Sequence, residues 1–431
     1  MRYYSTNRQS PIVSFKDATL KGQAPDKGLY FPESIPKMDQ EWLKRLSSIR
    51  KEELAFHIMY PYVQEDISEE KLYEIIHATI AFEFPLIRLE DDIYVLELFH
   101  GPTLAFKDVG ARFMSRCLGH FSNDKDTKTT VLVATSGDTG GAVANGFLNV
   151  EGVEVIILYP AGKVSRVQEL QLTTCGNNIT ALRVNGSFDD CQQIVKEAFM
   201  DQTLRDRLQL TSANSINIAR WLPQQLYYFL AMQQWAEKQI APSIAVPSGN
   251  LGNIAAGLLA KKSGLVTNNF IAACNINDTI TDFLKTGVHT PKQAVMTVSN
   301  AMDVGNPSNL IRIFEMYQQD LGQLIEDLTS SVQTDESTLK TIRSVYQKNN
   351  YILDPHGAVG YNALKENLKK GEKGFFLATA HPVKFPEVME DAIGASIPVP
   401  PSIELLYTLS QKVIDIDASY MHFKEWILYR S

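Results

Sequence analysis

The chain has 431 residues, of which 44% are hydrophobic and 21% charged, a balance typical of a globular protein with a large core. Its 41 basic and 49 acidic side chains give a net charge of −8, which speaks against nucleic acid or an anionic membrane as a partner. The first residues lack a basic region followed by an apolar run, and no stretch approaches the ~20 apolar residues of a membrane span. We therefore expect a cytoplasmic protein that acts on a small molecule.

The cysteines agree with that expectation. They form no Cys-x-x-Cys pair, and their wide spacing indicates buried thiols in a reducing compartment rather than a zinc cluster. They are Cys117, Cys175, Cys191 and Cys274.

The pattern of predicted turns, strands and helices divides the chain into three regions. Residues 1–90 combine turns with charged helical stretches at 40–50 and 68–83, which indicates a small N-terminal helical subdomain. Residues 91–390 alternate strand and helix patterns, and 391–431 form a C-terminal helical extension. Apolar strands separated by helices indicate a parallel sheet covered on both faces. The predicted strands are 93–99, 130–135, 153–159, 179–184, 243–246, 270–274 and 374–378; the predicted helices are 105–118, 140–148, 166–174, 190–200, 220–238, 254–262, 306–316, 336–348 and 403–428.

Three loops that follow strands stand out, because open parallel sheets bind ligands where their strands end. The first, Ser-Gly-Asn-Leu-Gly-Asn at 248–253, leads into a helix, whose N-terminal amides favour an anion. It lacks both the P-loop and the dinucleotide pattern. A merely tight, glycine-rich turn is the alternative explanation.

The second loop, Thr-Ser-Gly-Asp-Thr-Gly-Gly at 135–141, offers hydroxyls and amide donors that suit a carboxylate or a phosphate. Asp138 would repel an anion, so we expect it to face away or to fix the loop.

The third loop contains Lys107, which follows a Gly-Pro turn and sits early in an apolar helix. Most lysines are surface charges, but partial burial would lower the pKa of this one and leave a neutral, nucleophilic amine. An amine and an anion site at one sheet edge suggest an aldehyde cofactor that carries a phosphate, and pyridoxal 5'-phosphate (PLP) fits both requirements.

Six motifs then resemble the threonine synthase family. They are His-Gly-Pro-Thr-Leu-Ala-Phe-Lys-Asp at 100–108, the loops at 135–140 and 248–253, Asp-Val-Gly-Asn-Pro-Ser-Asn at 303–309, Asp-Pro-His-Gly-Ala at 354–358 and Ala-Thr-Ala-His-Pro-Val-Lys-Phe at 378–385. A further match, Ala-Pro-Asp-Lys-Gly-Leu-Tyr at 24–30, resembles the family's N-terminal domain. One departure is Leu251, where the family usually has Phe.

The resemblance implies PLP fold type II: α/β, with two open twisted, mainly parallel sheets covered by helices and a small N-terminal helical subdomain. The implied activity is the last step of threonine biosynthesis, in which O-phospho-L-homoserine and water give L-threonine and phosphate by β,γ-elimination and β-hydration. Lys107 would bind the cofactor covalently and move protons. Thr379 would contact the pyridine nitrogen, and the cofactor phosphate would lie against Gly249, Asn250, Leu251, Gly252 and Asn253.

The resemblance also implies a substrate site. Its α-carboxylate would bind at Ser136, Gly137, Asp138 and Thr139, and its phosphate at Lys163, Ser165, Arg166 and Lys384. Each basic residue could instead be an ordinary solvated surface charge.

Other functions stay open on the sequence. A phospho-lyase acting on O-phosphohomoserine, a serine/threonine dehydratase and a non-catalytic PLP-binding homologue share these motifs in part. A dehydratase has no use for a phosphate site, and an intact Lys107 argues against the non-catalytic reading. A metal site is one interpretation of the histidines His100, His356 and His381. Histidines more often pack in the core or cap turns, so we expect no metal. Either a monomer or a homodimer is compatible with the sequence.

Overall fold

The computed structural model describes residues 1–122 and 128–430. Residues 123–127, inside the predicted 91–390 region, and Ser431, at the end of the predicted extension, lie outside the described residues. The strands are β1 (Tyr3–Ser5), β2 (Tyr30–Pro32), β3 (Leu86–Arg88), β4 (Ile93–Glu97), β5 (Thr129–Ala134), β6 (Val153–Pro160), β7 (Ile179–Asn185), β8 (Gln209–Ser212), β9 (Ser243–Pro247), β10 (Phe270–Cys274), β11 (Leu328–Val332), β12 (Gly374–Ala378) and β13 (Ile414–Asp417).

The helices alternate with these strands through most of the chain. They are α1 (Phe15–Lys21), α2 (Gln40–Lys44), α3 (Lys51–Val63), α4 (Glu69–Thr79), α5 (Lys107–Ser122), α6 (Asp138–Phe147), α7 (Arg166–Thr173), α8 (Phe188–Met200), α9 (Gln202–Arg207), α10 (Ile218–Trp221), α11 (Leu226–Gln234), α12 (Gly252–Lys262), α13 (Thr279–Thr286), α14 (Leu310–Met316), α15 (Leu321–Asp327), α16 (Asp335–Asn349), α17 (Pro355–Asn367), α18 (Pro386–Ile393), α19 (Pro401–Thr408) and α20 (Tyr420–Tyr429). Short 3-10 turns lie at Leu46–Ser48, Leu222–Gln225, Asn300–Met302 and Pro382–Lys384.

One packing unit comprises Phe31–Phe106 and Trp221–Pro398, together with Met1. Its sheet has the order β11-β10-β9-β12-β4-β3, and only β3 runs antiparallel to its neighbour. Strands β4, β10 and β12 are buried along their whole length, as expected for a sheet covered by helices. Helix α17 packs on β9, β10 and β12.

The second unit comprises Arg2–Tyr30, Lys107–Arg220 and the chain from Val399 onward. Its sheet has the order β13-β7-β6-β5-β8 and is parallel throughout. Its core joins strand residues to helices α8 and α20, among them Leu132, Ile156, Leu182, Ile194 and Phe423. The expected fold of two mainly parallel sheets covered by helices is thereby confirmed.

Two predicted helices are interrupted in the structure. The stretch 220–238 becomes α10, a 3-10 turn and α11, because Pro223 lacks the amide hydrogen that a continuous helix needs. The C-terminal stretch 403–428 contains β13 between α19 and α20. The Ile-Asp-Ile-Asp sequence at 414–417 alternates apolar and polar residues with the period of a strand, and this signal was overlooked.

The proposed boundaries near residues 90 and 390 stay a prediction. In the structure, the first 90 residues are divided between the two packing units at Tyr30 and Phe31. None of the helices in the described ranges has the length and apolar character needed to cross a membrane.

Candidate functional site

The loop 249–253 connects β9 to α12. Leu251 occupies the N-cap position of α12 in the left-handed conformation (φ 59°) and provides no capping side chain. The first amides of any helix lack intrahelical acceptors, and most helices satisfy them with a capping Ser, Thr, Asp or Asn. Here those amides remain for another acceptor, and the helix N-terminus favours an anionic one.

Gly249 lies against the backbone of a neighbouring segment. A Cβ atom at this position would come within 2.7 Å of Met302 Cα and 3.2 Å of the Ala301 carbonyl oxygen. Only glycine allows this approach, so close packing alone accounts for glycine at this position.

Asn253 provides a test of whether a phosphate group fits the loop. The Tyr228 hydroxyl lies 2.8 Å from Asn253 Oδ1 and 3.0 Å from its carbonyl oxygen. Burial raises the pKa of Tyr228 well above its usual value, which keeps this hydroxyl protonated as a donor. Within the described ranges, Asn253 Nδ2 is buried without a hydrogen-bond partner. A phosphate oxygen would supply the missing acceptor, so the residues present fit the phosphate of PLP.

Lys107 is the first residue of α5 and is half-buried, as the sequence predicted. The chain immediately before it is tied to the segment after β12. The Phe106 amide donates to the Thr379 carbonyl oxygen at 2.9 Å, and the His381 amide donates to the Leu104 carbonyl oxygen at 3.0 Å. Thr379 is only 6% exposed. Lys107 therefore directly follows Phe106, whose backbone amide is hydrogen-bonded to Thr379.

The loop 135–140 in the second unit is braced by its own side chains. The Thr135 hydroxyl oxygen accepts from the amides of Gly137 at 3.0 Å and Gly140 at 2.9 Å. Asp138 Oδ1 accepts from Gln168 Nε2 at 3.0 Å, so this aspartate fixes the loop, one of the two orientations expected. Ser136 and Thr139 are half-buried.

The four candidates for the substrate phosphate differ in exposure and in partners. Lys163 is exposed, while Ser165 caps α7 by accepting from the Gln168 amide. Arg166 is exposed and bonds Gln411 Oε1 at 3.0 Å, with Glu169 3.3 Å away. Lys384 is fully buried, and it belongs to the other unit.

The three histidines make local contacts. His356 Nδ1 lies 2.7 Å from Asp354 Oδ2, and His100 Nε2 lies 2.6 Å from Glu97 Oε2. Burial lowers the pKa of His381, whose Nδ1 accepts from the Val383 amide. No group of three or more potential metal ligands occurs in the part of the chain that the structure describes.

Sequence reasoning missed residues that support the loop 249–253. Tyr228 carries no signal in the sequence beyond an ordinary core aromatic. Ser308 and Asn309 belong to the matched motif at 303–309, which had received no role. The Ser308 amide donates to Asn250 Oδ1 at 2.6 Å, and Asn309 Nδ2 donates to the Asn250 carbonyl oxygen at 3.0 Å.

Three family models match the chain in order. They describe the threonine synthase N terminus at residues 2–80, a pyridoxal-phosphate dependent enzyme at 80–379 and the threonine synthase C-terminal region at 357–427. A threonine synthase of Haemophilus influenzae is 41% identical over 429 residues, covering 99% of this chain and 100% of the relative. The crystal structure of threonine synthase from Escherichia coli superposes with a TM-score of 0.94 at 40% identity, with both chains fully covered. A PLP-bound threonine synthase from Brucella melitensis superposes with a TM-score of 0.93 at 33% identity, again over both whole chains.

Proposed function

The chain belongs to the threonine synthase family, and from that premise we propose that it converts O-phospho-L-homoserine and water into L-threonine and phosphate. The reaction is a PLP-dependent β,γ-elimination followed by hydration at the β-carbon. The observation that carries the proposal is the placement of Lys107 directly after a segment that is hydrogen-bonded to Thr379.

The cofactor contacts follow from the groups described above. When bound, PLP supplies an aldehyde that joins amines and a ring that stabilises negative charge on the substrate carbons. Lys107 would bind the aldehyde carbon covalently, and the Thr379 hydroxyl would contact the pyridine nitrogen. The loop 249–253 would bind the phosphate. A hydroxyl does not protonate the ring as a carboxylic acid would. The unprotonated ring would withdraw fewer electrons from the α-carbon, which suits a reaction that continues at the β- and γ-carbons.

Lys107 also handles the protons in this proposal. Once the substrate amine has replaced it, its Nζ would take the α-proton and then a β-proton of the substrate, and it would later return protons to the γ- and α-carbons. Because water must enter only after elimination, residues around the substrate have to control its access.

The substrate contacts are shared between two sets of residues. The amides of Gly137 and Gly140 already donate hydrogen bonds to the Thr135 hydroxyl. The α-carboxylate would therefore bind to Ser136, Thr139 and the remaining donors of that loop. Asp138 keeps the loop in shape rather than binding the anion directly. The candidates for the substrate phosphate stay Lys163, Ser165, Arg166 and Lys384, of which Lys384 is fully buried.

The test measures phosphate and threonine together from purified protein, PLP and O-phosphohomoserine. Equal amounts of both products support the proposal, whereas phosphate with 2-oxobutyrate and no threonine identifies a phospho-lyase. Activity on serine or threonine alone identifies a dehydratase. Lys107→Ala should lower turnover at least ~1000-fold and abolish borohydride trapping of PLP, while Lys365→Ala, at an exposed lysine, should change neither. Failure of the wild type to trap PLP would overturn the proposal.

Two further features belong to the proposal. We place the protein in the cytoplasm, where the thiols of Cys117, Cys191 and Cys274 would stay reduced; burial raises the pKa of each. We also propose a monomer or a homodimer, which analytical ultracentrifugation distinguishes.

A further inference from the structure

The segment 301–309 packs against the loop 249–253 and forms hydrogen bonds with it, and both lie in the same packing unit. Asn250 is held at two points: its side-chain oxygen accepts from the Ser308 amide at 2.6 Å, and its carbonyl oxygen accepts from Asn309 Nδ2 at 3.0 Å. A few residues earlier, the Ala301–Met302 backbone meets Gly249 without room for a side chain. The loop thus rests on one continuous piece of chain.

Asn309 behaves unusually for a residue that precedes a helix. It occupies the N-cap position of α14, where an asparagine side chain normally accepts from an amide of the first turn. Here it makes no capping bond. Its carboxamide instead bridges Arg312, whose Nη1 donates to Oδ1 at 2.8 Å, and the carbonyl oxygen of Asn250.

Arg312 determines which way this carboxamide faces. Its guanidinium is fully buried and lies 4.6 Å from the centre of the Trp221 ring. Burial lowers the pKa of Arg312 to about 9, which reflects the cost of holding this charge away from water. A guanidinium has donors only, so the oxygen of Asn309 must face Arg312 and the nitrogen must face Asn250.

The same segment is fixed at its other end. The Ala301 amide donates to His356 Nε2 at 3.2 Å, while His356 Nδ1 lies 2.7 Å from Asp354 Oδ2. His356 is therefore held as the tautomer that carries its proton on Nδ1 and accepts at Nε2. Two buried polar connections, one through His356 and one through Arg312, position the backbone on which loop 249–253 rests.

Building on the proposed function, we propose that Asn309, oriented by Arg312, is a positioning residue that holds the phosphate-binding loop 249–253 in its binding conformation. It touches neither substrate nor reacting atoms in this role. Its contribution is to PLP retention, through the carbonyl oxygen of Asn250 and the amides that follow it in the chain.

The variant Asn309→Asp tests this because it preserves size, replaces the donating amide nitrogen by an oxygen and adds a negative charge that Arg312 can pair with. The carboxylate still pairs with Arg312, so the melting temperature of the full-length protein without PLP should stay the same or rise. It places an oxygen against the Asn250 carbonyl oxygen, so PLP dissociation should become about tenfold faster or more, with the dissociation constant raised in proportion. The affinity for pyridoxal, which lacks the phosphate, should change less than about threefold.

Asn367→Asp is the matched control, because Asn367 Nδ2 donates to the Ala363 carbonyl oxygen at 2.8 Å near the end of α17. It should leave PLP retention unchanged. Unaltered PLP retention in Asn309→Asp would overturn the inference, and so would an equal loss of PLP and pyridoxal affinity. A lowered melting temperature without PLP would assign Asn309 a general structural role instead. Wild-type protein that traps PLP on Lys107 separates each of these results from a failure of the proposed function.

Discussion

Loops 249–253 and 135–140 both follow a buried strand, both are rich in glycine and both lead into a helix, yet they are held in different ways. In loop 135–140 the Thr135 hydroxyl occupies the Gly137 and Gly140 amides, so the loop satisfies part of its own hydrogen-bonding capacity. Loop 249–253 has no such residue. Leu251 cannot cap α12, and the support comes from Ser308 and Asn309, almost 60 residues further along the chain.

The difference shows what glycine content alone leaves undetermined. Glycines permit an anion to approach the backbone, but a nearby hydroxyl decides whether the amides are available for it. A loop braced from within suits a substrate that enters and leaves at every turnover. A loop that leads into a helix without a capping side chain, and whose shape is set by a distant segment, suits a phosphate that stays bound. Three substitutions test this comparison.

The largest effect is expected from Gly249→Ala. The added Cβ would lie 2.7 Å from Met302 Cα, so the loop or its support must shift. Overpacking of this kind costs about 1–3 kcal/mol, which corresponds to PLP binding weaker by up to ~100-fold. Titration of the full-length protein with PLP, followed by the absorbance of the lysine-bound cofactor, measures the loss. The same substitution at Gly322, an exposed helical glycine, should leave PLP affinity unchanged. PLP affinity that survives Gly249→Ala would contradict the role given to this close approach.

The sequence predicted much of this arrangement and missed the part that depends on distant contacts. The apolar strands β10 and β12 were predicted with their observed bounds, because burial on both faces leaves a continuous apolar run. The three-residue strand β3 is too short for a periodic signal, and β11, although it is as long as β10, reads Leu-Thr-Ser-Ser-Val and has no continuous apolar run. The chemistry of Lys107 and of both loops was visible as local motifs. The bracing by Asn309, Arg312 and Tyr228 was not, because it exists only once segments far apart in sequence are folded together.

A smaller and different effect is expected from Thr135→Val, which removes the hydroxyl and keeps the shape. The amides of Gly137 and Gly140 lose their acceptor, so the free energy of unfolding should fall by about 1–3 kcal/mol. Because this loop is assigned to the substrate, KM for O-phosphohomoserine should rise about three- to tenfold while PLP affinity stays constant. Thr135→Ser retains the hydroxyl and should recover most of the loss. Weaker PLP binding with unchanged KM would reverse the roles of the two loops.

The smallest effect is expected from Leu251→Phe, which introduces the residue that the family usually has. Leu251 is 2% exposed, so the larger ring should lower the free energy of unfolding by about 1–2 kcal/mol. PLP affinity should nevertheless change less than about threefold, because in the proposed function the phosphate lies against backbone amides that the side chain at 251 does not alter. Leu258→Phe, inside the helix α12 that Leu251 precedes and likewise fully buried, controls for overpacking alone. A change in PLP affinity above about tenfold in Leu251→Phe, absent from Leu258→Phe, would mean that the side chain at 251 takes part in holding the phosphate. The difference between the two loops would then lie in their side chains and not in the availability of their amides.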